Sequence, residues 1–310
     1  MSVNGAPVPA SFARARLGDS KCKFPSRRVW MTSRGVAIIR DHSFHKLRNA
    51  KNGINNLYVA CSSSVFVAAD LKQAVFDGKR AIRGGIPFVF PQFGQWAFGP
   101  QHGFARIARW HVEKMPERLP SGDVEAVFSL MDDDFTRSMW HFQFRLTYRL
   151  ILREKELHFN IGVYNPSKEL TFSCQMLLHT YFKVPDVRRC QITGMHGCMF
   201  IDKTREGALY QETREVVTIN EWTDRIYQNT MQEHIITNVV SGRKMRIQKY
   251  NFPDTVIWNP WSEYAKEIPD FGDDEFPNMV CVEAGRVAAP IVLLPGTAFE
   301  ASQILQVNIA

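Results

Sequence analysis

Residues 142–152, FQFRLTYRLIL, place Phe142, Phe144, Leu146 and Tyr148 on one face and Gln143, Arg145, Thr147 and Arg149 on the other. A period of two sends successive side chains to opposite sides of a strand, so the segment predicts an antiparallel strand with one face in a core and one in water. The pattern recurs at 157–163, followed by the turn residues Asn165-Pro166-Ser167 and an apolar run over 170–184. Further strands are predicted at 215–219, 237–240, 244–250, 255–258, 279–282, 291–294 and 298–307, punctuated by Ser241-Gly242-Arg243 and Pro295-Gly296. Almost no window carries a helical period. The fold class expected is therefore all-β, a large antiparallel β-sandwich with few short helices. No linker or internal repeat divides it, and all-β units often reach about 250 residues, so residues 29–310 are expected to form one sandwich domain.

The net charge of +7 raises the question of a nucleic-acid partner, and its distribution answers it. Residues 1–28 hold Arg14, Arg16, Lys21, Lys23, Arg27 and Arg28 against Asp19, which is +5 of the total and leaves +2 for the other 282 residues. That balance describes a basic tail, expected to be disordered, and not a groove for a polyanion. The six cysteines form no Cys-x-x-Cys pair, which excludes a zinc ribbon and a dense disulfide framework. No apolar run reaches the roughly 18 residues of a membrane span. The expectation is a cytoplasmic monomer with no nucleic-acid or membrane partner.

Chemistry enters at RGGIPFVFPQFG, residues 83–94, where Gly84-Gly85 permits a tight turn beside Arg83 and the apolar segment after it is stiffened by Pro87 and Pro91. Gln101, His102 and Arg106 cluster around Gly103, and two guanidiniums in neighbouring loops suit a phosphate dianion. His179 closes an apolar run, and Glu283 ends a β-branched strand where burial would raise its pKa toward that of a general base. Asp224 offers acceptors to sugar hydroxyls, and Trp258 and Trp261 offer indoles near a turn. The same side chains also suit plainer roles. The arginines could pair with surface carboxylates, His179 could be a hydrogen-bonded core residue, Asp224 could cap a turn and Glu283 could sit in solvent. His42 and His45 have no partners at zinc spacing, so no metal is assigned.

Taken in order, Phe76-Asp77-Gly78 with Arg83-Gly84-Gly85-Ile86-Pro87, Gln101 to Arg106, His179-Thr180-Tyr181-Phe182, Thr223 to Tyr227, Asp254 to Trp261 and Val282-Glu283-Ala284-Gly285 resemble the hexose-6-phosphate mutarotases of the aldose 1-epimerase superfamily. The resemblance covers about residues 70–307; residues 30–75 match loosely, and Ala284 stands where the family commonly has Pro. It implies a galactose mutarotase-like sandwich that needs no cofactor. His179 and Glu283 would be the acid/base pair, and Arg83, Gln101, Arg106 and Asp224, with His102 beside them, would hold the sugar phosphate. The implied reaction interconverts the α and β anomers of a hexose 6-phosphate, glucose 6-phosphate above all. Three other readings stand beside it: a mutarotase of free hexoses, a sugar-phosphate-binding module without turnover, and a glycosidase using Asp224 with Glu283.

Overall fold

The computed structural model describes residues 80–239 and 243–307 in full, residues 71 and 73–75, and the backbone of residue 308 and of five N-terminal strands, Arg27–Thr32, Gly35–Arg40, Ile54–Asn55, Val59–Ser63 and Phe66–Val67. The expected tail falls mostly outside the described residues, as do Phe76-Asp77-Gly78, His42 and His45. The first strand starts at Arg27, two residues before the expected domain boundary.

Two large antiparallel sheets make the body. The first runs, in spatial order, Glu233–Val239, Arg243–Tyr250, Ala298–Asn308, Glu156–Tyr164, Arg145–Leu152, Val124–Met131, Arg109–Arg118 and Ile54–Asn55. The second runs Ala208–Gln211, Met199–Asp202, Thr223–Tyr227, Asp254–Asn259, Met279–Leu293, Phe172–Leu178 and Phe88–Val89, with Tyr181–Lys183 also paired to Met279–Leu293. The period-two signal is realised directly: along Glu156–Tyr164, Leu157, Phe159, Ile161 and Val163 are buried while the residues between them are half-buried. These side chains meet Phe172, Met176, Ile257 and Val282 of the second sheet in one continuous core. Among the described residues the helices are two short ones, Asp134–Arg137 and Trp261–Ala265, besides brief 3-10 turns. Among the described residues no helix is long and apolar enough to cross a membrane.

Several details differ from the sequence expectation. Residues 215–219 form no strand; only Val217 bridges to Ile192, because its neighbours lack a partner strand. The expected strands 279–282 and 291–294 belong to one 15-residue strand, Met279–Leu293, which leaves Leu294 outside it and whose register against Phe172–Leu178 shifts between Cys174 and Met176. One pair in the N-terminal sheet is parallel, Val36 facing Val59.

The second sheet is covered on both sides, and this positions the site. Val280, Val282 and Ala284 point into the main core, so alternation sends Cys281 and Glu283 to the outer face. The same parity places Leu177 and His179 outward from the neighbouring strand, and Val256 and Trp258 outward from Asp254–Asn259. Two small apolar clusters, one around Tyr181, Trp258 and Phe271 and one around Val89, Leu177 and Val256, cover part of that face. The polar residues lie between them.

Candidate active site

A cleft of about 390 Å³ opens on this outer face. Its floor is His179 and Glu283, its walls include Val256, Trp258, Phe93 and Tyr264, and Arg83, Gln101, His102, Lys203 and Asp224 stand around it. His179 is 7% exposed and Glu283 1%. Nδ1 of His179 lies 3.3 Å from Oε1 of Glu283, but not in hydrogen-bond geometry, and neither that nitrogen nor either Glu283 oxygen has a hydrogen-bond partner among the described residues. Buried polar atoms almost always have partners, since leaving one unmade costs about 1–3 kcal/mol. The frame around the pair is rigid: the His179 ring stacks on Tyr181 at 4.8 Å and 12°, and His179 N–H donates to the Pro87 carbonyl at 2.9 Å.

The loop after Phe88–Val89 is fastened to the sheet by a side chain the sequence did not mark. Gln175 accepts from Phe93 N–H at 2.9 Å and donates to the Val287 carbonyl at 2.6 Å. His102 is locked to the same loop, its N–H donating to the Gly94 carbonyl at 2.8 Å while its Nδ1 accepts from Gly94 N–H at 3.1 Å. That bond leaves the proton of a neutral ring on Nε2. Gly103 makes the turn possible: its φ is +73°, and a Cβ there would sit 2.2 Å from the Phe90 carbonyl oxygen.

The charges are arranged in opposed pairs. Arg83 donates through Nε and Nη2 to Asp270 Oδ1 at 3.2 and 2.8 Å, and through Nη1 to the Tyr181 hydroxyl at 3.4 Å. Lys203 donates to Asp224 at 2.9 Å. Arg106 is placed differently from the expected two-arginine clamp. Its Nη2 donates to the Gln101 carbonyl at 2.8 Å and it is not among the residues lining the cleft, yet its charge acts on His102, His179 and Glu283. Lys203, Asp270 and Tyr181 were missed by sequence reasoning. None lies in a segment whose local pattern departs from ordinary strand or loop, and only the resemblance motif around Tyr181 touched any of them. Trp261 packs against Phe276 and the main core, away from the cleft that Trp258 lines.

These surroundings push the floor groups in opposite directions. Burial, reinforced by Asp224, raises the Glu283 carboxyl well above the usual carboxylate range, with Lys203 and Arg106 opposing. Burial, then the charges of Arg106 and Arg83, lowers His179 well below the usual imidazole value. Burial and Arg106 lower His102 in the same way. Burial also raises Asp224 against the pull of Lys203, and pushes Arg106 down to about 10. Two titratable groups shifted in opposite directions and in contact in a cleft are the arrangement that proton-transfer chemistry calls for.

The sequence profile of the aldose 1-epimerase family matches residues 46–306. The chain belongs to the aldose 1-epimerase family. As a member it is an isomerase that interconverts sugar anomers. It is 31% identical over 231 residues to a Cenchrus ciliaris protein named "Putative glucose-6-phosphate 1-epimerase", covering 72% of this chain and 70% of that one. An Escherichia coli K12 protein of the same name is 30% identical over 213 residues, 67% of this chain and 68% of the other. Among solved structures, a "putative mutarotase" from Salmonella typhimurium superposes with a TM-score of 0.71 at 26% identity, over 78% of this chain and 80% of that one. The epimerase scaffold thus carries the expected all-β class and the resemblance alike.

Proposed function

We propose that this epimerase acts on a hexose 6-phosphate, glucose 6-phosphate first among them, with His179 and Glu283 as the acid/base pair. The observation that carries the reading is the pair itself: two buried groups in contact on the floor of a cleft, with Nδ1 and both carboxylate oxygens unpartnered among the described residues. In this reading the pair works with one acidic proton, for which carboxylate–imidazolium and carboxyl–imidazole are tautomers; burial raises the Glu283 carboxyl and lowers the His179 ring.

Mutarotation needs this single proton. In the first tautomer the Glu283 carboxylate accepts the proton of the C1 hydroxyl while the C1–O5 bond breaks and His179 delivers its proton to O5. The open aldehyde results, with the pair left as carboxyl and neutral imidazole. Rotation about C1–C2 presents the other face of the carbonyl, and the reverse transfers close the ring. Neither group gains or loses a proton over a full cycle, so no cofactor is called for.

Substrate selection is assigned to the ring of charge. Arg83 and Lys203 both line the cleft, and Arg106, bonded to the Gln101 carbonyl, adds a third charge nearby. Gln101, His102 and Asp224 present donors and an acceptor toward sugar hydroxyls and phosphate oxygens. A neutral sugar leaves these cations with only their resident carboxylates. Two charge-assisted hydrogen bonds made by the phosphate ester and not by the free sugar correspond to about 10²-fold or more in kcat/KM. Rates of α-to-β conversion measured on glucose 6-phosphate and on glucose test this. Preference for the ester is expected; equal rates would assign the enzyme to free hexoses, and binding of the ester without any acceleration would make it a binding module. A cytoplasmic, monomeric enzyme that binds neither nucleic acid nor membranes belongs to the same proposal.

A further inference from the structure

The sequence spacing contains no zinc pattern, yet the topology builds a three-ligand cluster. Cys281 and Glu283 are two apart on one strand and share its outer face, and His179 reaches them from the neighbouring segment. All three are buried, and one ligand atom from each lies within 4.8 Å of the others. Two ligands held about 2.0–2.1 Å from a tetrahedral zinc ion lie roughly 3.3 Å apart. Nδ1 of His179 and Oε1 of Glu283 are 3.3 Å apart, without a hydrogen bond between them.

We propose that Cys281, His179 and Glu283 form a binding site for zinc or a similar thiophilic divalent cation, and that its occupation shuts the enzyme off. The thiol, the imidazole and the carboxylate supply three ligands, and the fourth position faces the cleft, where water completes the tetrahedron. Binding is a ligand exchange: the metal displaces the Cys281 thiol proton and the proton shared by the pair, and both leave to solvent. The thiolate and carboxylate then balance the dication, and Asp224 and Asp270 offset the nearby Arg83 and Lys203. A bound ion occupies the two groups assigned to proton transfer, which makes it competitive with the sugar phosphate. Only this inhibition rests on the function proposed above; the metal site stands on the residues alone.

Titration of the full-length protein with Co2+ tests the site without turnover. A thiolate-to-cobalt charge-transfer band at one equivalent, abolished in Cys281→Ser and in His179→Ala and bleached by Zn2+, is the expected result. Absence of the band in the wild type, or its persistence in either folded variant, overturns the site. The regulatory half is tested separately with Cys281→Ala, whose thiol takes no part in proton transfer. Zn2+ is expected to suppress wild-type anomer exchange and to leave that of the variant unchanged; equal inhibition of both overturns it, while an inactive wild type with an intact cobalt band points instead to the failure of the function proposed above.

Discussion

His234 and His179 are both buried in this sandwich, His234 in the first sheet at 1% exposure and His179 beside the second at 7%. Around His234 the polar atoms are partnered. Its Nδ1 faces the Thr193 carbonyl at 3.2 Å and its Nε2 lies 2.9 Å from the Thr255 hydroxyl, which is 2.8 Å from that of Thr230. Nearby, Asp254 accepts from the backbone of Val287 and Ala288 at 2.8 Å, and Lys249 donates to the carbonyls of Phe252 and Pro253. Around His179 the reverse holds, with Nδ1 and both oxygens of Glu283 unpartnered among the described residues. Burial alone therefore does not distinguish a structural histidine from a chemical one. The satisfied cluster stabilises the fold, and the unsatisfied one leaves its capacity to a ligand.

The largest effect expected from this contrast is at the cleft. Glu283→Gln removes the group assigned as base and should lower turnover by about 10²- to 10⁴-fold. Thermal unfolding should show Tm unchanged or raised, because the near-isosteric amide leaves no ionisable group to be buried in the cleft floor. His234→Gln should do the opposite, costing roughly 1–3 kcal/mol in urea unfolding while activity per folded molecule is retained. A loss of turnover in His234→Gln comparable to that of Glu283→Gln would erase the distinction.

Acid sharpens the comparison further. Burial and the neighbouring Lys249 hold His234 down to about 3, opposed by its bond to Thr193. Between the ordinary value near 6.5 and that point the unfolded chain takes up a proton that the folded chain refuses. The stabilising contribution is thus full above about 6.5 and is lost as pH falls, by up to about 1.4 kcal/mol per pH unit. Stability curves of wild type and His234→Gln should converge on acidification from about pH 6.5 to about 4.5. A constant gap would show that the ring protonates while the protein stays folded.

The smallest effect should come from the wet face of the first sheet. Arg149, about half exposed, pairs with Glu125. Arg149→Ala should change unfolding free energy by less than about 1 kcal/mol and leave turnover as it was, setting the floor against which the other variants are read.

How much of this could be read from the chain depends on the range of the interaction. The strand at 145–152 was legible because alternation is local, and Leu146, Tyr148 and Leu150 are buried as it required. The strand expected at 215–219 failed because β-branched composition without a pairing partner is not a strand. Within the site, His179, Glu283, Asp224, Arg83, Gln101 and His102 all come to one cleft, but the motifs did not show that Arg106 is held by the Gln101 carbonyl and is not among the lining residues. Asp270 is 187 residues from the arginine it holds, and Lys203 is 21 from its carboxylate. Such pairings are created by topology, and no local pattern announces them. The proximity of Cys281 to His179 is of the same kind.

Two-dimensional exchange NMR on glucose 6-phosphate at anomeric equilibrium tests the central claim most directly, comparing wild type with His179→Ala, Glu283→Gln and His234→Gln. Enzyme-dependent α/β cross-peaks are expected for wild type and His234→Gln, and none above the uncatalysed level for the two folded cleft variants. Cross-peaks of wild-type intensity in either His179→Ala or Glu283→Gln would contradict the assignment of this pair as the acid and base.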